Sequence, residues 1–344
     1  MTIGVDAGML GVTDERLKLG VYRVAYNLLK HISRLDTKNS YRLYSFHPVD
    51  GFGPNIQNIV LGARGFLRAR LPLELRRNPV DLFLGLGQAL PPFLSAPSIG
   101  YVHDIGFRFH PDAYGNSYKK LEKNTADLVR RATHIVAVSE TTKRDIVRVY
   151  GRNPSTITVC YNGVDERFTL KGKKYKHQKP YFLFVGSLNC AKDIPLLLRS
   201  FAKTRGCDLI LVGGEYWPDP AIDTAMLRYG LNERVIKVGH VSDEKLAMYY
   251  RGAIAFVTAA LHEGFCLPAV EAMVCGTPVI AVNRGALPEI VGDAGLIVEP
   301  GHLSEAMNKI RRNRSRLAKL SLIQAKLFSW SASAQKLLAL IHAR

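Results

Sequence analysis

Two glutamates, Glu263 and Glu271, bracket the corner in "HEGFCLPAVEAMVCGTPVIAV". Pro268 stands where the first turn of a helix begins, Gly276 falls just past its end and Pro278 stops any continuation, so the spacing predicts a helix over Leu267–Cys275. A helix that opens at the carboxyl edge of a parallel sheet offers free N–H groups and the positive end of its dipole, and a phosphate fits there. Carboxylates beside a phosphate repel it unless they bind hydroxyls. Glu271, about one turn into the helix, and Glu263, ahead of the corner, can each take hydroxyls on one side of a bound anion, as a sugar and a ribose flanking a diphosphate require. Taken singly, such glutamates are usually solvated; the proline-capped corner argues for binding.

Two more residues join them. Lys192 opens the helical run "KDIPLLLRSF", where the dipole disfavours a cation, so its placement asks for an anionic partner. His103 closes the apolar run "SIGYVHD", a position open both to a core histidine and to a ligand contact. Asn162 and Asp165 of "YNGVD" read as turn formers. No Asp-x-Asp pair offers itself to a divalent cation, and the five cysteines, at 160, 190, 207, 266 and 275, show no metal-ligand spacing. No metal and no disulfide are expected. "GLGQAL" lacks the third glycine of a dinucleotide fingerprint and no Gly-x-x-x-x-Gly-Lys is present, so no cofactor is expected either.

The elements that must position these residues alternate between short β-rich runs and amphipathic helical segments, the pattern of parallel βαβ units. The strands expected are "TIGVDA", "YRLYSF", "VDLFLGL", "SIGYVHD", "HIVAVS" and "TITVCYNG", then "YFLFVGS", "DLILVGG", "VIKVGHV", "AIAFVTA", "PVIAV" and "GLIVEP". The basic segment "LKGKKYKHQKP", residues 170–180, separates the two sets and reads as an interdomain linker. At 344 residues and 47% hydrophobic, the chain can build two cores. No charged, apolar signal segment opens it and no apolar run reaches the ~20 residues that span a bilayer, which points to the cytoplasm. A net charge of +18 leaves nucleic acid, anionic lipid and phosphate-bearing substrates as partners. A nucleic-acid binder, the reading from another class, would need a recognition motif and interleaved aromatic and basic residues that the chain lacks.

"EGFCLPAVE" resembles the Glu-x7-Glu signature of the family-4 retaining glycosyltransferases, and "GTPVIAVNRGALPEIVGDAGLIVEP" resembles the segment that follows it. The likeness continues in "GVDAGML" with "LGVYRVAYNLLKHI", in "YVHDIGF", in "RATHIVAVSETTKRDIV" and "VCYNGVD", in "LFVGSLNCAKDIPLLLRSFA" and in "FSWSASAQKLL". It implies the α/β GT-B fold: two Rossmann-like parallel-sheet domains facing a central cleft, the acceptor side in residues 1–172 and the nucleotide-sugar side in 173–325. A C-terminal helix in 326–344 would cross back to the first domain.

By the same resemblance Glu271 would bind the nucleotide ribose and Glu263 the sugar hydroxyls, with Gly186, Ser187, Gly264 and the amides of Phe265, Cys266 and Leu267 along the diphosphate and sugar. Lys192 would neutralise the leaving diphosphate, His103 would lie near the anomeric carbon, and Gly20 would admit the phosphates to the first loop. Three positions depart from the family. Ser187 stands where an arginine is common, Tyr22 where the first loop often has a second glycine, and Cys266 where a glycine is usual. The implied reaction is metal-independent hexosyl transfer with retention, the leaving phosphate taking the acceptor's proton. The donor expected first is GDP-mannose, with UDP-sugars as the alternative and nucleotide-sugar epimerisation as another reaction on the same fold; the acceptor is a glycan or a polyprenyl-diphosphate-linked sugar. Residues 64–77, "RGFLRARLPLELRR", mix Arg64, Arg68, Arg70, Arg76 and Arg77 with Phe66, Leu67, Leu71, Leu73 and Leu75, which suits peripheral binding to an anionic inner membrane face.

Overall fold

The computed structural model describes residues 1–18 and 20–343. The chain divides into two compact units, one of residues 1–105, 116–163 and the segment from Ser329, the other of Gly106–Gly115 and Val164–Phe328. The first runs β1 (Thr2–Asp6), α1 (Gly20–Leu35), β2 (Ser40–Ser45), β3 (Ile56–Val60), α2 (Leu71–Arg77), β4 (Leu82–Gly85), β5 (Ser98–Val102), α3 (Tyr118–Arg131), β6 (His134–Ala137), α4 (Glu140–Tyr150) and β7 (Ile157–Val159). The second runs β8 (Tyr181–Val185), α5 (Ile194–Phe201), β9 (Asp208–Val212), α6 (Pro220–Arg228), β10 (Val235–Gly239), α7 (Asp243–Gly252), β11 (Phe256–Thr258), α8 (Leu267–Val274), β12 (Val279–Val282), α9 (Leu287–Val291), β13 (Gly295–Val298) and α10 (Leu303–Ala325). Helix α11 (Trp330–His342) then rejoins the first unit.

Both sheets are parallel, ordered β3-β2-β1-β4-β5-β6-β7 and β10-β9-β8-β11-β12-β13. The inner strands β4, β5, β6, β9, β11 and β12 are buried along their whole length, because helices cover both faces and every residue must be apolar or hydrogen-bonded. Each sheet reverses its winding once, between β1 and β4 and between β8 and β11. The loops that leave these neighbouring strands diverge, opening a crevice at their carboxyl ends. In the second unit those loops are the Lys192 loop after β8 and the Glu263 corner after β11.

All twelve strands expected from apolar runs are present. β3 was not among them: its sequence "IQNIV" is polar and half-exposed because it forms the edge of its sheet. The expected boundaries also shift. The division falls after Gly163 rather than after residue 172, and the returning segment starts at Ser329 rather than 326. The basic stretch 170–180 is no free linker. Arg251, only 8% exposed, donates from Nε to the Lys173 carbonyl (2.8 Å) and from Nη1 to that of Thr169 (3.1 Å). The Tyr175 ring lies 4.1 Å from that of Tyr249, and His177 Nε2 is 2.7 Å from Asp208 Oδ2. Aromatic and imidazole groups between the lysines give the stretch something to pack, and a buried guanidinium needs its carbonyls.

In the first unit α11 packs on α1, and the Ser333 hydroxyl donates to the Tyr161 carbonyl. Gly163 makes the approach possible, since a Cβ there would come 2.1 Å from the backbone nitrogen of Trp330.

Candidate functional site

The Lys192 loop is tethered before it reaches α5. Gly186 (φ +152°) donates its N–H to the Val212 carbonyl (3.0 Å), and Leu188 donates to Gly214 (3.0 Å), which hold the loop on the end of β9. Gly213 is obligatory there, because a Cβ would fall 1.9 Å from the Gly186 carbonyl oxygen. Ser187, half-buried, accepts the Asn189 N–H on its carbonyl (3.0 Å). Lys192 sits in the turn just ahead of α5 and extends to Glu263, Nζ to Oε1 2.6 Å, with side chains 26% and 14% exposed. The anionic partner that the lysine's position asks for is thus one of the two glutamates of the signature.

Glu263 opens the corner after β11. Gly264, Phe265 and Cys266 are buried, and the Phe265 ring packs edge-on against Phe328 at 5.4 Å, which gives its side chain a packing role. Cys266 is the N-cap of α8 in the left-handed region (φ 73°, ψ 71°), a conformation glycine adopts without cost. Burial, with Glu263 next, drives its thiol far above the ordinary range, so it stays a neutral packing group. Helix α8 begins at half-exposed Leu267 with Pro268 in its first turn, and no side chain caps that turn. The helix expected over Leu267–Cys275 is α8 with Cys275 as its C-cap.

Glu271 is 6% exposed on α8. Its Oε2 accepts from the Tyr250 hydroxyl of α7 (2.8 Å), and Thr277 Oγ1 donates to the Tyr250 carbonyl (2.5 Å). Burial, followed by the neighbouring Glu271, raises the Tyr250 phenol well above its ordinary range and keeps its proton on the donor. The second glutamate is therefore locked in orientation by the fold.

Three residues that the sequence reading missed complete the corner. Arg284, at the end of β12, donates from Nη1 to Asp193 Oδ2 (2.9 Å) and to the Ala259 carbonyl (3.2 Å). Phe109 and His110, from the Gly106–Gly115 segment, approach His262, the Phe109 and His262 rings lying 5.1 Å apart. Burial, with the charges of His262 and Arg284, lowers the pKa of His110.

The first-unit candidates stand on their own sheet. His103 follows β5; its N–H donates to Gln88 Oε1 (2.8 Å) and its Nε2 lies 2.8 Å from the Leu86 carbonyl, which accepts only, so Nε2 carries the proton. Burial lowers its pKa and favours the neutral ring, with Nδ1 as the remaining acceptor. Gly20 begins α1, exposed, with open space where a Cβ would sit, so the fold itself does not require glycine there. Tyr22 stacks on Tyr26 (6.0 Å) beneath the Lys18 ammonium. In residues 64–77 the apolar half turns inward: Phe66, Leu71 and Leu75 are buried, Leu67 is half-buried, and of the five only Leu73 is exposed, beside the exposed arginines 64, 68, 70, 76 and 77.

The family model described as "Glycosyl transferases group 1" matches residues 165–324, and that described as "Glycosyltransferase Family 4" matches residues 20–168. The chain belongs to glycosyltransferase family 4. It is similar to O-antigen chain mannosyltransferase B of Escherichia coli, 31% identical over 66% of this chain and 65% of that one. To a D-inositol 3-phosphate glycosyltransferase of Mycolicibacterium smegmatis it is 30% identical over 62% of this chain and 53% of that one. The chain thus spans between about half and two thirds of the length of these curated relatives. Among solved structures, Anabaena Alr3699/HepE in complex with UDP-glucose superposes with a TM-score of 0.77 at 18% identity over 100% of both chains. The two parallel Rossmann-like sheets are those of the GT-B fold. Within this family-4 chain, Lys192, Glu263, Gly264, Phe265, Cys266, Leu267 and Glu271 gather at the winding reversal of the second sheet, while His103 and Gly20 belong to the first unit.

Proposed function

We propose that the chain is a retaining, metal-independent hexosyltransferase that takes a sugar from a nucleoside diphosphate donor and passes it to a glycan or polyprenyl-diphosphate-linked acceptor. The observation that carries this reading is the Lys192–Glu263 pair at the mouth of α8, with Glu271 clamped by Tyr250 behind it. A donor suits both partners at once: the diphosphate takes the ammonium, the freed Glu263 carboxylate takes sugar hydroxyls, and the start of α8 adds the Leu267 N–H and the positive end of the helix dipole to the developing charge. Charge on the leaving diphosphate grows as the glycosidic bond breaks, and a fixed lysine there stabilises the transition state more than the ground state. The leaving phosphate oxygen then accepts the acceptor's proton.

GDP-mannose is the donor we favour, supported by similarity to an O-antigen mannosyltransferase. UDP-sugars are the second reading, favoured by the fold likeness to a protein solved with UDP-glucose. The exposed arginines of residues 64–77 would hold the protein on an anionic membrane surface, on the order of 1 kcal/mol each. With the apolar half of that stretch buried, this contact is electrostatic rather than inserted. The deciding experiment is nucleoside diphosphate release from GDP-, UDP- and ADP-sugars. Lys192→Ala is expected to lower kcat chiefly and Glu271→Ala to raise the donor KM chiefly, because one group acts on transition-state charge and the other on ground-state binding. Wild-type turnover in both variants refutes the assignment.

A further inference from the structure

The Lys192–Glu263 pair joins two loops that have no covalent reason to keep their spacing, and a third loop spans both. Arg284, Gly285 and Ala286 follow β12. The Ala286 N–H donates to the Glu263 carbonyl (2.8 Å), and Gly285 (φ +55°) lies so close that a Cβ would meet the Glu263 carbonyl oxygen at 2.6 Å and its nitrogen at 2.7 Å. On the other side Arg284 Nη1 holds Asp193 Oδ2 at 2.9 Å, the two side chains 26% and 23% exposed, while its second bond anchors it to the Ala259 carbonyl.

Asp193 directly follows Lys192, and its geometry is unusual. It is a non-glycine residue in the left-handed region (φ 48°, ψ 44°) at the N-cap of α5, yet its side chain makes no capping bond. An N-cap aspartate ordinarily spends its carboxylate on the helix's own N–H groups; this one is drawn to Arg284 instead. The backbone around it is held by Lys192 N–H to Asn189 (3.0 Å) and by Leu261 N–H to the Ala191 carbonyl (2.9 Å).

We propose that Arg284 is a positioning residue for the reaction: through Asp193 it sets where Lys192 stands, while its own loop sets where Glu263 stands. The inference rests on the proposed donor site and adds a residue beyond the Lys192–Glu263 pair itself. Its value is preorganisation. A lysine that must meet diphosphate charge in the transition state loses effect when displaced by as little as ~1 Å, a loss that reaches about a hundredfold in rate.

The test uses the full chain and the nucleotide sugar that the wild type turns over best. Arg284→Ala and Asp193→Asn, the latter keeping a residue that tolerates the left-handed region, are each expected to lower kcat by about tenfold to a hundredfold with donor KM within about threefold. Arg284→Lys, which keeps the ion pair, should recover most of kcat. The double variant should be no slower than the slower single one, since both remove one interaction. A second measurement needs no turnover: amine acylation followed by peptide mass spectrometry, in which Lys192 should label faster in Arg284→Ala than in wild type, relative to the surface lysines. Additive losses, a rise in KM at constant kcat, or Lys192 labelling at the wild-type rate would each overturn the role. A wild type inactive on every nucleotide sugar, with the labelling difference intact, sinks the proposed reaction and leaves the positioning of Lys192 standing.

Discussion

Replacing Tyr250 by phenylalanine removes one oxygen from a wholly buried ring and leaves the packing of α7 and β11 intact. What it removes is the donor to Glu271 Oε2 at 2.8 Å, inside a helix where that carboxylate is 6% exposed. A hydrogen bond to a charged group contributes about 1.5–3 kcal/mol, and enclosure prevents water from replacing it. Taking ~2 kcal/mol, and the ~2–4 °C per kcal/mol typical of domains of roughly 150–250 residues, the second unit should melt about 4–8 °C lower. The same change frees Glu271 to leave the orientation in which it would meet a ribose, so nucleoside diphosphate affinity should fall about tenfold, equivalent to ~1.4 kcal/mol. Differential scanning calorimetry and calorimetric titration with GDP and UDP read the two effects separately. An unchanged melting temperature would show that the bond does not stabilise the fold. An unchanged affinity at a lowered melting temperature would show that Glu271 orientation has no part in nucleotide binding.

Asp6, 5% exposed at the end of β1, accepts the Gly8 N–H on Oδ1 (3.0 Å), yet burial outweighs that bond and pushes its pKa from 3.8 to about 6. The folded state then holds the proton more tightly than the unfolded chain, so stability falls as pH rises from about 4 to about 6, by ~3 kcal/mol in all. Asp6→Asn escapes that loss, and urea unfolding should show the variant gaining on wild type across this window; parallel curves would refute it. Gly163→Ala drives a methyl group into the Trp330 backbone and should cost about 1–3 kcal/mol and expose the segment from Ser329 to limited proteolysis. Replacing Arg68, Arg70, Arg76 and Arg77 by glutamine should abolish salt-sensitive pelleting with anionic vesicles while sparing turnover of a soluble acceptor; retained pelleting removes this surface from membrane binding.

Local pattern determined a good deal here. Strands in a parallel sheet buried on both faces must be continuous apolar runs, so twelve of them stand out, and the proline and glycine around Leu267–Cys275 mark α8 because backbone conformation at those residues is a local matter. Edge strand β3 stays hidden because an edge needs no apolar run, and the stretch 170–180 reads as a linker because charge is visible in a sequence while the carbonyl bonds of Arg251 are not. The residue types of the site were legible in Lys192, Glu263 and Glu271; their partners were not. Only the winding reversal between β8 and β11 brings Lys192 to Glu263, and only the packing of α7 on α8 brings Tyr250 to Glu271. Arg284 and Asp193 lie far apart along the chain and neither carries a motif, so their pairing appears only once β12 has taken its place in the sheet. Burial, which moves the pKa values of Asp6, His103 and Tyr250, is likewise a property of neighbours that chain order does not contain.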